Sequence, residues 1–188
     1  MKTDKNKEIN YRDRDLLFVD LEATGLELER HQIIEIGSLL VDSNSYEIKD
    51  KYYAKVKPEH LENADQEALD MGIYIEEEWK SAIDISTALK EFADFAGNSM
   101  PAGWKVDFDF NMLEAAYRRH NVHYQFDYHL LDVCSLAYIY FKKKDKPEKL
   151  SLGRVCKQLD IDKHEQHGAM VDIEATYKVF KKLIAEYK

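Results

Sequence analysis

Chain breakers are scarce in this sequence. With 7 glycines and 3 prolines among 188 residues, it holds no Gly-, Pro- or Ser-rich linker, no low-complexity tract and no internal repeat. That pattern favours one compact domain. Two cysteines, Cys134 and Cys156, exclude a disulfide framework and form no C-x-x-C. Each sits in an apolar helical pattern and reads as a buried free thiol. Hydrophobic runs are short, none approaching the roughly 20 residues of a membrane-spanning helix. Met1 to Asp15 is charged throughout and lacks the apolar stretch of a signal peptide. These absences point to a reduced, soluble, cytoplasmic protein with no membrane partner. Basic charge is also in deficit, 27 Lys+Arg against 36 Asp+Glu, net −9. A chain this acidic repels a polyanion at long range, which argues against a protein that coats nucleic acid. The deficit is uneven. Residues 142–188 carry 12 basic and 8 acidic side chains, net +4, leaving net −13 on residues 1–141. A local polyanion site is therefore not excluded.

A hydrophobic content of 45% is enough for a real core. After a solvated arm over residues 1–14, Leu16 to Val19 is an apolar run with strand propensity, closed by Thr24-Gly25. Ile33 to Val41 and Tyr46 to Val56 read as two more strands, joined by the turn residues Asp42-Ser43-Asn44-Ser45. Helical spacing follows. Ile83, Leu89, Phe92, Phe95 and Ala96 share one face of a helix ending at Gly97, and Leu113, Ala116 and Tyr117 mark a helix over Phe108 to His120. Met100 to Val106 and His129 to Val133 are short strand candidates. Helices then run to Phe141, from Ser151 to Leu159, and from Ala169 to Tyr187. Strands first, then alternating strand and helix, predict an α/β fold with a mixed sheet over residues 15–188.

Chemistry concentrates in Asp20-Leu21-Glu22-Ala23-Thr24-Gly25-Leu26. The period of two along a strand puts Asp20 and Glu22 on one face. Adjacent carboxylates repel, and a hard cation such as Mg²⁺ or Mn²⁺ between them relieves the repulsion. The bland alternative is a strand end with solvated acids. His167-Gly168-Ala169-Met170-Val171-Asp172 places a histidine at the entry of the last helix and a carboxylate on its first turns. With an unperturbed pKa near 6.5, such a histidine suits general-base work, or else it caps the helix. In Val106-Asp107-Phe108-Asp109-Phe110 the spacing sends Phe108 into the core and Asp109 toward the sheet's end.

D-x-E-x-T-G at Asp20–Gly25, F-D at Phe108-Asp109 and H-x-x-x-x-D at His167–Asp172 occur in one order and spacing. Together they resemble the DEDDh 3′–5′ exonucleases, the superfamily of RNase T, oligoribonuclease and the proofreading epsilon subunit of replicative polymerase. Met71-Gly72-Ile73, Leu131-Asp132 and Leu150-Ser151-Leu152 are weaker echoes, and the likeness spans roughly Asp15 to Ala185. The resemblance implies an RNase H-like mixed five-stranded sheet flanked by helices. It also implies two divalent cations, Mg²⁺ or Mn²⁺, held by Asp20, Glu22, Asp109 and Asp172, with His167 as general base. The substrate would be the 3′ end of single-stranded DNA or RNA, shortened stepwise to nucleoside 5′-monophosphates. By the same analogy Ala23, Thr24 and Gly25 hold the terminal nucleotide and Leu26 packs on its base.

Where many relatives carry His-Asn, this chain has Trp104-Lys105. Trp104 could stack on a base or simply pack at a strand end, and Lys105 could approach a phosphate or stay solvated. Lys142-Lys143-Lys144-Asp145-Lys146, with Lys149, Arg154 and Lys157, is either an electrostatic entry for the strand or a solubilising loop. Arg118-Arg119-His120 suits a helix C-terminus. A homodimer and a polymerase partner both stay open. So do two other functions: an inactive nucleic-acid-binding module, and a phosphodiesterase acting on very short oligonucleotides.

Overall fold

Alternation along the first strand sorts its side chains between two layers. In β1 (Leu16–Ala23), Leu17, Val19 and Leu21 enter one apolar cluster, while Leu16 and Phe18 enter another. The computed structural model describes residues 10–70, 74–142, 144, 147–163 and 168–186. Within them β1 pairs antiparallel with β2 (Ile33–Val41), which pairs antiparallel with β3 (Ile48–Lys55). A short helix α1 (Gln66–Asp70) and α2 (Ile85–Ala96) lead to β4 (Met100–Gly103), parallel to β1. Helix α3 (Val106–His120) follows, then β5 (Leu131–Asp132), parallel to β4. The chain continues through α4 (Val133–Phe141), α5 (Leu152–Gln158) and α6 (Ala169–Ala185). The sheet is mixed and five-stranded, in the order β3-β2-β1-β4-β5, as the resemblance implied.

Helices α2 and α3 cover one face, where Phe92, Leu113 and Tyr117 are buried with Leu17 and Val19. Helices α4, α5 and α6 supply Val133, Val155, Ile173 and Phe180 to the other face, against Phe18 and Leu39. Fully burying each such side chain is worth about 1.5–3 kcal/mol, so both layers are held by ordinary hydrophobic packing. No helix among the described residues is long and apolar enough to cross a membrane.

Several boundaries move relative to the sequence reading, each for a local reason. β1 runs on through Asp20 and Glu22 to Ala23, as their placement on one strand face required, because β2 keeps pairing beyond the apolar run. β3 starts at Ile48 rather than Tyr46, which has φ 57° inside the turn that Asp42 organises by accepting the Asn44 and Ser45 amides. Cys134 is only half-buried while Cys156 is buried; both are free. β4 stops at Gly103, and α3 begins already at Val106.

Between them Lys105 takes a left-handed conformation, φ 57°, and its amide donates to Asp132 Oδ1 at 2.8 Å. Asp132 also caps α4 by accepting the Cys134 and Ser135 amides. A lysine gains nothing from that backbone conformation, whereas Asn tolerates it. Lys105→Asn is therefore expected to raise stability by about 0.5–1 kcal/mol, read as a higher denaturant midpoint at unchanged slope.

Candidate active site

The site begins where β1 outruns its parallel neighbour. β4 pairs only with Leu16 to Phe18, so the next stretch of β1 has β2 on one side and an open backbone edge on the other. Gly103 lets the chain turn there, since a Cβ at that position would stand 2.8 Å from the Val19 carbonyl oxygen. Helix α3 then crosses the open edge. Asp109, 5% exposed, accepts the Leu21 amide at 3.0 Å and so replaces the missing strand partner.

Asp20 and Glu22 project from the other face, in line with Leu16 and Phe18. Asp172, in the first turn of α6, comes from the layer that covers that face. A close contact fixes α6: a Cβ on Gly37 of β2 would meet the Ala169 carbonyl carbon at 2.5 Å. Only a glycine lets the start of the helix lie on the strand.

A further carboxylate, absent from the sequence reading, belongs to the same place. Glu35 stands opposite Glu22 in the β1–β2 register and is 7% exposed. Its charge reaches Tyr53 on β3, whose hydroxyl is pushed up by burial and then by Glu35. Its position was legible in principle, because a charged residue inside the apolar run Ile33-Ile34-Glu35-Ile36 must have a compensating partner or function.

Crowding has a clear electrostatic signature. Burial pushes Asp20 well above the usual carboxylate range, and Asp109, Asp172, Glu22 and Glu35 push it further. Glu22 is raised to about 7 by burial, then by Glu35 and Asp172, while Lys163 opposes the shift. Asp109 is raised to about 8 by burial, although the Leu21 amide pulls it down. Each group is hard to ionise beside the others, which is the condition a divalent cation relieves. The donors are all hard oxygens and suit Mg²⁺ or Mn²⁺. Among the described residues no three His, Cys, Asp or Glu side chains are already drawn into a coordination cage. The fit therefore rests on the donor set and its charge.

Beside the carboxylates the D-x-E-x-T-G turn is tied from within. Thr24 is 1% exposed; its amide donates to the Gln32 carbonyl, and its hydroxyl accepts the Gln32 amide at 2.9 Å. Gly25 packs under fully buried His31, where a Cβ would meet the imidazole at 2.4 Å and Asp65 at 2.5 Å. His31 Nδ1 accepts the Glu27 amide at 2.8 Å, so its proton sits on Nε2, 3.4 Å from Asp65 Oδ1. Gly25→Ala is expected to cost about 1–3 kcal/mol and lower Tm by about 5 °C, as measured by thermal melting. Arg119 steadies the same loop by donating to the Leu28 carbonyl at 2.6 Å, a role beyond the helix dipole.

Leu26 is 76% exposed at the mouth of a groove of about 260 Å³. Glu22, Ala23, Gly25, Asp65 and Phe108 line the groove with it. Phe108, expected in the core, packs half-buried against the α2–α3-side cluster and also forms part of the groove wall. Trp104 packs partly buried against the α6-side cluster, and Lys105 is exposed. His167 lies outside the described residues, as do Lys143, Asp145, Lys146 and the Met71-Gly72-Ile73 echo.

Comparisons with known proteins bear on the family and the fold. A family model described as "Exonuclease" (RNase_T) matches residues 17–180. A PolC-type DNA polymerase III from Oceanobacillus iheyensis is 26% identical over 179 residues, covering 93% of this chain and 12% of its own length. The Bacillus subtilis protein of the same name is 24% identical over 168 residues, 89% of this chain and 11% of its own. The chain thus spans about an eighth of these curated relatives. Among solved structures, Escherichia coli exonuclease I in complex with a dT13 oligonucleotide superimposes with TM-score 0.76 at 18% identity, over 91% of this chain and 41% of its own. A zinc-bound form of the same enzyme with single-stranded DNA gives TM-score 0.78 at 17% identity, over 93% and 41%. With the family model spanning most of the chain, and with Asp20, Glu22, Asp109 and Asp172 drawn to one end of its sheet, the chain belongs to the DEDDh 3′–5′ exonuclease superfamily.

Proposed function

We propose that this chain shortens single-stranded DNA or RNA from the 3′ end, releasing nucleoside 5′-monophosphates, as one exonuclease domain over residues 15–188, with Arg14 just before it tied to the domain through Asp127. The observation that carries this reading is the gathering of Asp20, Glu22, Asp109 and Asp172 from β1, α3 and α6, with Glu22 raised to about 7 and Asp109 to about 8. Those four carboxylates would hold two divalent ions, Mg²⁺ or Mn²⁺. Bound there, such ions supply Lewis-acid stabilisation of charge on the scissile phosphate and lower the pKa of water.

The chain's own groups do the rest. The turn at Ala23 and Gly25 faces the terminal nucleotide, while Leu26 and Phe108 face its base across the groove. Thr24, expected to touch the nucleotide, is instead buried with its backbone and hydroxyl bonded to Gln32 and Asp65, and holds the turn in shape. His167, which precedes α6 in the sequence, would accept the proton of the attacking water. Trp104 and Lys105 contact the strand further from its end. The charge balance also fits. Two ions bring +4 to a protein of net −9, leaving −5, so the reacting centre attracts phosphate although the chain as a whole does not. The names of the curated relatives favour a polymerase context over a homodimer.

The test incubates the purified chain with 5′-labelled single-stranded DNA, single-stranded RNA, duplexes and dinucleotides, with Mg²⁺, Mn²⁺ or EDTA. A ladder receding from the 3′ end, abolished by EDTA, is expected. Cleavage that survives EDTA would overturn the two-ion reading, and cleavage confined to dinucleotides would favour the short-oligonucleotide phosphodiesterase.

A further inference from the structure

One lysine stands inside the carboxylate site. Lys163 Nζ lies 2.7 Å from Asp172 Oδ1, with side chains 13% and 19% exposed. Each of the other lysine ion pairs among the described residues has at least one partner more than a third exposed, Lys55–Glu78 at 21% and 52% included. Lys49–Asp15 is 48% and 25% exposed, Lys51–Glu174 52% and 38%, and Lys181–Glu47 34% and 72%. Surface pairs of that kind contribute little, whereas a shielded pair acts strongly on its surroundings. The position of Lys163 is also set by packing. Two residues earlier, Ile161 is 9% exposed in the α6-side cluster, and its amide donates to the Cys156 carbonyl at 2.9 Å. The ammonium is felt beyond Asp172, since it opposes the upward shift of Glu22.

We infer that Lys163 is an internal cation of the site that competes with a divalent ion for the Asp172 carboxylate, and so sets how tightly the site takes up metal. This rests on the reading of Asp172 as a metal ligand. An ammonium at 2.7 Å occupies a lone pair that an incoming ion needs. It also adds positive charge beside that ion, and both effects weaken metal binding. When the ion binds, Lys163 releases Asp172 and remains a positive charge at the rim, placed to meet an anionic substrate.

The experiment titrates the full chain with Mn²⁺ by isothermal calorimetry, for wild type, Lys163→Met, Lys163→Gln and Lys163→Arg. Both neutral variants are expected to bind Mn²⁺ about tenfold more tightly, and the arginine variant within about twofold of wild type. In EDTA the same neutral variants are expected to melt at lower temperature, because the crowded carboxylates lose their only close ammonium among the described residues. A merely structural lysine would lower the melting temperature without tightening Mn²⁺. Should the methionine variant fail to fold, the glutamine variant keeps a polar chain of similar reach. Neutral variants that bind Mn²⁺ no more tightly than wild type overturn the inference alone. A wild type that takes up no Mn²⁺ overturns the two-ion reading and the inference with it.

Discussion

Asp109→Asn is expected to abolish hydrolysis and at the same time make the protein more stable in EDTA. Asparagine keeps the oxygen that accepts the Leu21 amide at 3.0 Å. It removes a carboxyl that burial and neighbouring acids push up to about 8. The metal-free fold thus loses a group that is costly to ionise, while its backbone bond survives. A gain of about 5 °C in Tm near pH 8 follows from a stabilisation of roughly 1–2 kcal/mol. Activity moves the other way. Without a charged ligand the site holds its ions less well, and a fall of at least about a thousandfold in kcat/KM corresponds to about 4 kcal/mol of transition-state stabilisation. Asp109→Ala provides the contrast. It leaves the buried Leu21 amide without an acceptor, which costs about 1–3 kcal/mol, so that variant is inactive and also less stable. Thermal melts of both variants in EDTA, alongside rates on a 5′-labelled oligonucleotide in Mg²⁺, decide the matter. An asparagine variant that keeps wild-type turnover, or melts no higher than wild type in EDTA, contradicts the account.

The second large effect is on pH. In EDTA the protein is expected to lose stability as pH rises from about 5 to 8, and in Mg²⁺ or Mn²⁺ that loss is expected to disappear. Glu22 moves from 4.5 to about 7 and Asp109 from 3.8 to about 8. Between those limits the folded chain keeps protons that the unfolded chain has released. The stability they confer is therefore complete below the unfolded values and fades as pH passes through the folded ones. A decline of roughly 3 kcal/mol, about 10 °C in Tm, is the expected scale. Divalent ions bind the ionised carboxylates, so the gap between melts with metal and with EDTA should widen as pH increases. A gap that stays constant from pH 5 to 8 would show that these carboxylates neither carry the predicted shifts nor take up the ions.

Much of this was legible in the sequence because it is written in short-range periodicity. Alternation in Leu16 to Glu22 placed Asp20 and Glu22 on one face, and the strand and helix order gave the mixed sheet. Features that depend on how elements end were less legible. Phe108 packs against the core as expected but also lines the groove, because Lys105 adopts a left-handed turn and α3 starts early, which composition does not reveal in a lysine. Glu35 and Lys163 were missed for another reason. Each matters through a partner distant in the chain, Glu22 across a strand pair and Asp172 on the next helix; the charge inside the apolar run marks Glu35 as unusual, but no local pattern names either partner. Gly37 falls in the same class, since its close contact with Ala169 exists only once α6 has docked.

The division of the carboxylates between layers also bears on folding order. Asp109 arrives with the α2–α3 layer and Asp172 with the α4–α6 layer, while Asp20 and Glu22 sit on the strand between them. A partly folded chain with only one layer docked would present an incomplete set of ligands, and would bind ions weakly whatever its helix content. On the two-ion reading, uptake of metal would therefore be a late event, gated by the arrival of the second layer. A chain caught midway through folding would have no working centre with which to cut nucleic acid.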